Sequence, residues 1–107
     1  MNVIRQGDAM LIPVKSIPKD AIEQPPKGNK IVLAYSEVTG HHHRFEFMDT
    51  SHNVKLYAAG SGARYVHVIA RADLLHEEHD TASVPAGQYL IPSQVEYTPA
   101  KLRRVAD

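Results

Sequence analysis

One feature constrains the fold of this chain most strongly. The sequence contains short runs of Val, Ile, Leu, Tyr and Phe, and turn-forming residues separate these runs about every ten positions. Helical periodicity of the apolar positions is weak throughout. The sequence therefore predicts an all-β, or mostly β, fold: a small β-barrel or β-sandwich of about six to eight short strands. With 107 residues and 43% hydrophobic content, we expect a single β domain that spans residues 1–107.

The clearest hairpin is expected between a strand from Lys30 to Glu37 and a strand from His41 to Phe47. Successive side chains of a strand point to opposite faces, so His41, His43 and Phe45 share one face. Because their neighbours on that face are apolar, the pattern predicts that both histidines point inward.

A long strand is expected from Ala63 to Asp73, with its even-numbered residues in the core. It leads into a polar turn at residues 76–79, and a later strand has Tyr89 and Ile91 on its buried face. The Pro-rich segment from Ser16 to Asn29 is expected to be the longest loop.

Charge and composition exclude several classes of function. Twelve Lys and Arg residues balance twelve Asp and Glu residues, so no net field attracts a polyanion or an anionic membrane. The chain has no Cys, which excludes a disulfide framework, a thiolate zinc site and a Cys nucleophile. There is no bilayer-spanning apolar run and no signal-peptide pattern. We expect a cytoplasmic protein with neither a membrane nor a nucleic-acid partner.

Histidine is the residue type that points to chemistry, because the chain has seven and most fall in or near two clusters. His41 and His43 stand at i, i+2, which places both imidazoles on one face of a strand. His76 and His79 stand at i, i+3, a spacing that converges only in a helical or sharply turned segment. If the clusters meet, these four residues are expected to hold a divalent transition metal: Zn, Fe, Ni or Mn.

Two carboxylates lie inside the second cluster. Glu77 and Glu78 are the candidate catalytic residues, as a metal ligand or as the base beside an ion that activates water or polarises a substrate. This hypothesis describes a metal-assisted hydrolase or isomerase with a small-molecule substrate. Two alternatives stay open: a metal held by one cluster alone, and a non-enzymatic phage or mobile-element interaction module with structural histidines. The sequence leaves open whether the protein is an enzyme and whether it forms a homo-oligomer.

A partial motif is formed by Gly40, His41, His43, Glu46, Pro85 and Gly87. This motif resembles the cupin family, whose barrels hold a metal with a His-x-His pair, a Glu and a later His. Leu90 stands where that later His would be, so the resemblance implies that His76 or His79 supplies the ligand.

A longer series of motifs covers nearly the whole chain. The motifs are Arg5-Gln6-Gly7-Asp8, Leu11-Ile12-Pro13-Val14, Glu37-Val38-Thr39-Gly40-His41-x-His43, His76-Glu77-Glu78-His79, Pro85-x-Gly87-x-Tyr89 and Gln94-x-Glu96-Tyr97-Thr98-Pro99. This series resembles a group of small, uncharacterised bacterial and phage-encoded proteins. The resemblance implies no reaction and no substrate, but it does imply that the two His clusters work together.

Overall fold

The computed structural model describes residues 2–7, 9–35, 41–46 and 53–92, and its regular elements are all β-strands. None of these residues belongs to a helix with the length and apolar character that crossing a membrane requires. The strands are β1 (Ile4–Gln6), β2 (Ala9–Val14), β3 (Ile22–Gln24), β4 (Lys30–Tyr35), β5 (His42–Glu46), β6 (Val54–Ala58), β7 (Arg64–Val68), β8 (Ala72–Leu75), β9 (Ala82–Val84) and β10 (Gly87–Ile91).

The strands form two antiparallel sheets. One has the order β1-β2-β10-β7-β6-β3, and the other has the order β4-β5-β8-β9. The predicted all-β fold is confirmed, in the form of a sandwich-like pair of sheets rather than a closed barrel of the described strands. The structure has ten described strands, whereas six to eight were expected. Three of the ten, β1, β3 and β9, have only three residues each.

Buried apolar side chains from both sheets form one core cluster. Phe45 on β5 and Tyr89 on β10 are its largest fully buried members, which confirms the predicted alternation in those two strands. The Tyr89 hydroxyl donates to the carbonyl oxygen of Pro85 at 2.7 Å. The cluster contains Leu11, Ile31, Leu33, Phe45, Val54, Val66, Val68, Leu74, Val84, Tyr89 and Ile91.

The long strand expected from Ala63 to Asp73 is wrong, because the chain changes sheets within it. β7 belongs to the six-stranded sheet and β8 to the four-stranded sheet, and the crossing segment around Ile69 is exposed. Val68 before the crossing and Leu74 after it are buried as expected, but Ala70, an even-numbered residue also expected in the core, is exposed. As a result, β8 delivers the polar turn at residues 76–79 to the sheet that contains β5.

The expected loop needs a correction, and the expected hairpin and C-terminal motif are described only in part or not at all. The segment from Ser16 to Asn29 contains a short edge strand, β3, which pairs with β6, so it is not entirely a loop. The expected hairpin is present as the antiparallel pair β4 and β5. Its expected ends at residues 36–40 and 47, and the motif at residues 94–99, lie outside the described residues.

A bulge in β4 is held by a guanidinium from the other sheet. The register of β4 shifts between Val32 and Ala34. Arg64 on β7 donates to the carbonyl oxygens of Val32 and Leu33, at 3.4 and 2.5 Å. Burial lowers the pKa of Arg64, but an Arg pKa starts so high that the side chain stays charged at neutral pH. Arg64 therefore connects the two sheets.

Candidate metal centre

Pairing of β5 with β8 brings the two His clusters together. Arg44 stands opposite Leu75 in this antiparallel register, so one further step along it places His43 across from His76. The ring centroids of these two histidines are 4.2 Å apart. The strand pair and the turn between β8 and β9 thus form one cluster of imidazoles.

Three imidazoles form the centre of this cluster. The ring centroid of His79 lies 4.6 Å from that of His76 and 5.9 Å from that of His43. His41 stands at the rim, edge-on to His76 at 5.8 Å. Zn–N bonds of about 2.0–2.1 Å place two ligating rings about 5 Å apart, centroid to centroid, around a tetrahedral ion. The observed spacings lie on both sides of this value, from 4.2 to 5.9 Å.

The side chain of Gln6 fixes the orientation of His43, and both residues are buried. Its Nε2 donates to the carbonyl oxygens of Leu74 and Asp80, at 2.7 and 2.9 Å. Because a carbonyl only accepts, these bonds assign the amide orientation, and Oε1 accepts from Nδ1 of His43 at 2.8 Å. In the neutral ring of His43 the lone pair is therefore on Nε2.

Gly7 provides the space that the imidazole of His79 occupies. Gly7 has a φ of 59°, which favours glycine. A Cβ atom at this position would lie against Nε2 and Cδ2 of His79, closer than real Cβ contacts come, so the imidazole would have to shift. The end of β1 thus contributes two consecutive residues to the site: Gln6 contacts His43, and Gly7 accommodates His79.

The carboxylate of Glu77 anchors the β8–β9 turn to β5. Its Oε1 accepts from the backbone N–H of His42 and its Oε2 from the guanidinium of Arg44, both at 3.0 Å. The hydrogen bond from His42, helped by the charge of Arg44, lowers the pKa of Glu77 to about 2. A carboxylate with so low a pKa is a weak base, so these contacts suit an anchor better than a proton acceptor.

Glu78 is placed differently from Glu77. Its side chain is 62% exposed, and its Oε2 lies 3.4 Å from Nδ1 of His41. Its backbone N–H donates to Nδ1 of His76 at 3.0 Å. Glu78 therefore contacts a residue of each His cluster, and its carboxylate is open to solvent.

Comparison with known proteins assigns the chain to a family. Residues 5–94 match the family described as Domain of unknown function (DUF8820). The chain belongs to the DUF8820 family. The expected membership of an uncharacterised family is confirmed at this level, and the matched range includes Gln6, Gly7 and both His clusters. No curated protein and no solved structure matches this DUF8820 chain.

The imidazoles of the DUF8820 domain lie close together, but the described residues do not form a coordination geometry. Across the described ranges, no group of three or more His, Asp or Glu residues is arranged to hold a metal ion. Within the cluster, the backbone N–H of Glu78 already occupies Nδ1 of His76. The site therefore has the ligand types of a metal centre, but their arrangement differs from the coordination geometry of a bound ion.

Glu46 of the DUF8820 domain does not join the His cluster. It follows the alternation of β5, so it lies on the face opposite to His43 and is exposed. Its carboxylate accepts from Nε of Arg44 at 2.7 Å. Glu46 is therefore not placed as the Glu ligand that the cupin resemblance implies.

Sequence reasoning did not single out Gln6 and Gly7 as site residues. Both lie in the motif Arg5-Gln6-Gly7-Asp8, which contributed to the resemblance with uncharacterised proteins. That motif was the available signal, since neither residue type is a metal ligand and neither stands at an informative spacing from a histidine.

Proposed function

We propose that this DUF8820 domain binds a divalent transition metal through His43, His76 and His79, with His41 or Glu78 as a further ligand. The observation that carries this proposal is the cluster of three imidazoles, with centroids 4.2 to 5.9 Å apart, contributed by β5 and the β8–β9 turn. The cupin-like use of a His-x-His pair is part of this proposal, but its Glu ligand is not.

The hydrogen bond between Gln6 and His43 supports the same function. In metal sites, a ligating imidazole almost always donates its second ring N–H to an oxygen, which fixes the tautomer and aims the ligand nitrogen. The amide of Gln6 makes this contact at 2.8 Å. A buried structural histidine also needs such a bond. The bond therefore supports a metal site only in combination with the two imidazoles beside His43.

The donor set indicates which ions and which chemistry to expect. Imidazole and carboxylate ligands without a thiolate favour Zn, Fe, Ni or Mn, and the chain has no Cys. Three His ligands with an open position are typical of catalytic zinc, which activates water or polarises a substrate. We assign the base role to the exposed Glu78 and an anchoring role to Glu77, in a metal-assisted hydrolase or isomerase acting on a small molecule. The expected cytoplasmic location belongs to this proposal.

The competing function is a non-enzymatic interaction module in which the histidines are structural. The hydrogen bond that already occupies Nδ1 of His76 favours it. The two functions differ in one property: metal binding to the folded state stabilises it, whereas structural histidines make stability independent of metal.

Two measurements on untagged protein, purified without a nickel column, test the proposal. They are elemental analysis and melting curves recorded before and after chelation. We expect close to one metal per chain and a lower Tm after chelation. His79→Ala should remove the chelator-dependent difference in Tm. His67→Ala should keep it, because His67 alternates with the buried Val66 and Val68 and so lies on the outer face of β7. If neither chelator nor added Zn²⁺ changes the Tm, the metal function is rejected in favour of the interaction module.

A further inference from the structure

We propose that the resting site is self-blocked: the backbone N–H of Glu78 and a metal ion compete for the imidazole of His76, so metal binding must open this part of the β8–β9 turn. This inference rests on the proposed metal-binding function and adds a regulatory contact to it. In this contact Glu78 acts through its backbone N–H rather than through its side chain.

The hydrogen bond determines the tautomer of His76. The N–H of Glu78 lies 3.0 Å from Nδ1 of His76, and a backbone N–H only donates, so Nδ1 accepts with its lone pair. A neutral imidazole has one ring hydrogen, which must then be on Nε2. His43 has the opposite arrangement, with its hydrogen on Nδ1, although the two ring centroids are only 4.2 Å apart.

Both routes of ligation by His76 conflict with this hydrogen bond. Ligation through Nδ1 uses the lone pair that the N–H of Glu78 occupies. Ligation through Nε2 requires the ring hydrogen to move to Nδ1, where it would face a second donor. In either case the contact between Glu78 and His76 must break before the ion is bound, so the free energy of that contact opposes binding.

The rearrangement is confined to a small part of the turn. The carboxylate of Glu77 is anchored to β5, and the carbonyl of Asp80 accepts from Gln6. Glu78 lies between these two anchors and is exposed. Rotation of the His76 ring and of the Glu78 peptide therefore leaves the core and both anchors in place.

NMR spectroscopy of the full chain during a Zn²⁺ titration observes this contact directly. We expect the amide signal of Glu78 to shift on binding and its hydrogen to exchange faster with solvent, because it loses its acceptor. The amide of His42 is the internal control, since it donates to the anchored carboxylate of Glu77 and should keep its protection.

A pair of variants measures the same competition as an affinity. Glu78→Pro removes the N–H and the carboxylate, whereas Glu78→Ala removes only the carboxylate. Because a net hydrogen bond corresponds to roughly a two- to tenfold change in an equilibrium constant, Zn²⁺ should bind Glu78→Pro more tightly than Glu78→Ala by that factor. If proline disturbs the fold of the turn, the amide signals of the unmodified chain still show whether Zn²⁺ breaks the contact between Glu78 and His76.

The outcomes separate this inference from the proposed function. If Zn²⁺ binds while the Glu78 amide keeps its position and protection, the self-blocked site is wrong and the metal function stands. Equal Zn²⁺ affinities in the two folded variants would also show that the site is not self-blocked. If Zn²⁺ binds neither the unmodified chain nor the variants, both proposals are wrong.

Discussion

The amide oxygen of Gln6 and Nδ1 of His43 form a buried hydrogen bond of 2.8 Å that joins the two sheets of the sandwich. The same amide donates to the carbonyl oxygens of Leu74 and Asp80, on either side of the His76–His79 turn. One side chain from β1 thus holds β5, the end of β8 and the turn together. The stability of the fold and the geometry of the candidate site depend on the same group.

Gln6→Leu tests this dependence. The substitution leaves buried polar groups without their partner, so we expect the free energy of unfolding to fall by about 2–4 kcal/mol. Urea denaturation measures this loss. The matched control is Gln24→Leu. Within the described part of the chain, the Gln24 side chain bonds to the nearby carbonyl of Ile22, so this substitution should change stability by less than about 0.5 kcal/mol. Similar losses in both variants would contradict the assigned role of Gln6.

Gly7→Ala and Gly28→Ala separate backbone strain from contact with His79. The two glycines have nearly equal φ angles, 59° and 62°, so both variants should lose about 1–2 kcal/mol from the left-handed conformation. A Cβ atom would meet His79 at Gly7, whereas at Gly28 it would have no described atom within 4 Å. We expect only Gly7→Ala to weaken Zn²⁺ binding as well, as measured by calorimetry. An equal effect on Zn²⁺ affinity would show that Gly7 does not position His79.

The lowered pKa of Glu77 predicts a stability change in acid. Its pKa falls from an ordinary 4.5 to about 2 in the folded chain. Its ionised form therefore adds stability that is complete above pH 4.5 and is lost as the pH falls to about 2. We expect the stability difference between the unmodified chain and Glu77→Gln to shrink over that interval.

Chemical denaturation at a series of pH values measures this change. The control is Glu23→Gln, because Glu23 forms an exposed ion pair with Lys55 at 3.6 Å, and such pairs contribute little. A Glu77→Gln difference that stays constant from neutral pH to pH 2 would show that the contacts with His42 and Arg44 do not stabilise the ionised carboxylate.

Arg64→Met is expected to weaken the connection between the sheets. Methionine keeps an apolar stem but leaves the carbonyl oxygens of Val32 and Leu33 without the guanidinium, so we expect a loss of about 1–3 kcal/mol. Arg71→Met is the control, since Arg71 is exposed and pairs with Asp73 at 2.6 Å; it should cost less than about 1 kcal/mol. Thermal unfolding compares the two, and an equal Tm would remove the assigned role of Arg64.

Local patterns predicted the parts of this fold that depend on a single strand. Alternation placed His43 and Phe45 inward, and they are 3% and 1% exposed, because the face of a side chain follows from its position along one strand. The crossing between β7 and β8 was not predictable in the same way. The segment around Ile69 has no Pro or Gly to mark it, and the buried residues on both sides keep one parity.

The candidate site depended on contacts between distant residues. The spacing of each His cluster identified ligand candidates, but their meeting depends on β5 pairing with β8, which no local pattern specifies. The partners of the Gln6 side chain are even less visible, since they lie 37, 68 and 74 positions away along the chain. No local sequence pattern around a glutamine near a turn predicts such distant partners.

The bulge in β4 has a consequence for how this protein behaves at high concentration. β4 is an edge of the four-stranded sheet, and a regular edge strand is a template on which a second chain adds and aggregation begins. The bulge interrupts that template, and Arg64 occupies the carbonyl oxygens of Val32 and Leu33. The opposite edge, β9, has only three residues. Among the described strands, the interrupted register of β4 and the shortness of β9 are therefore expected to disfavour growth of this sheet by strand addition.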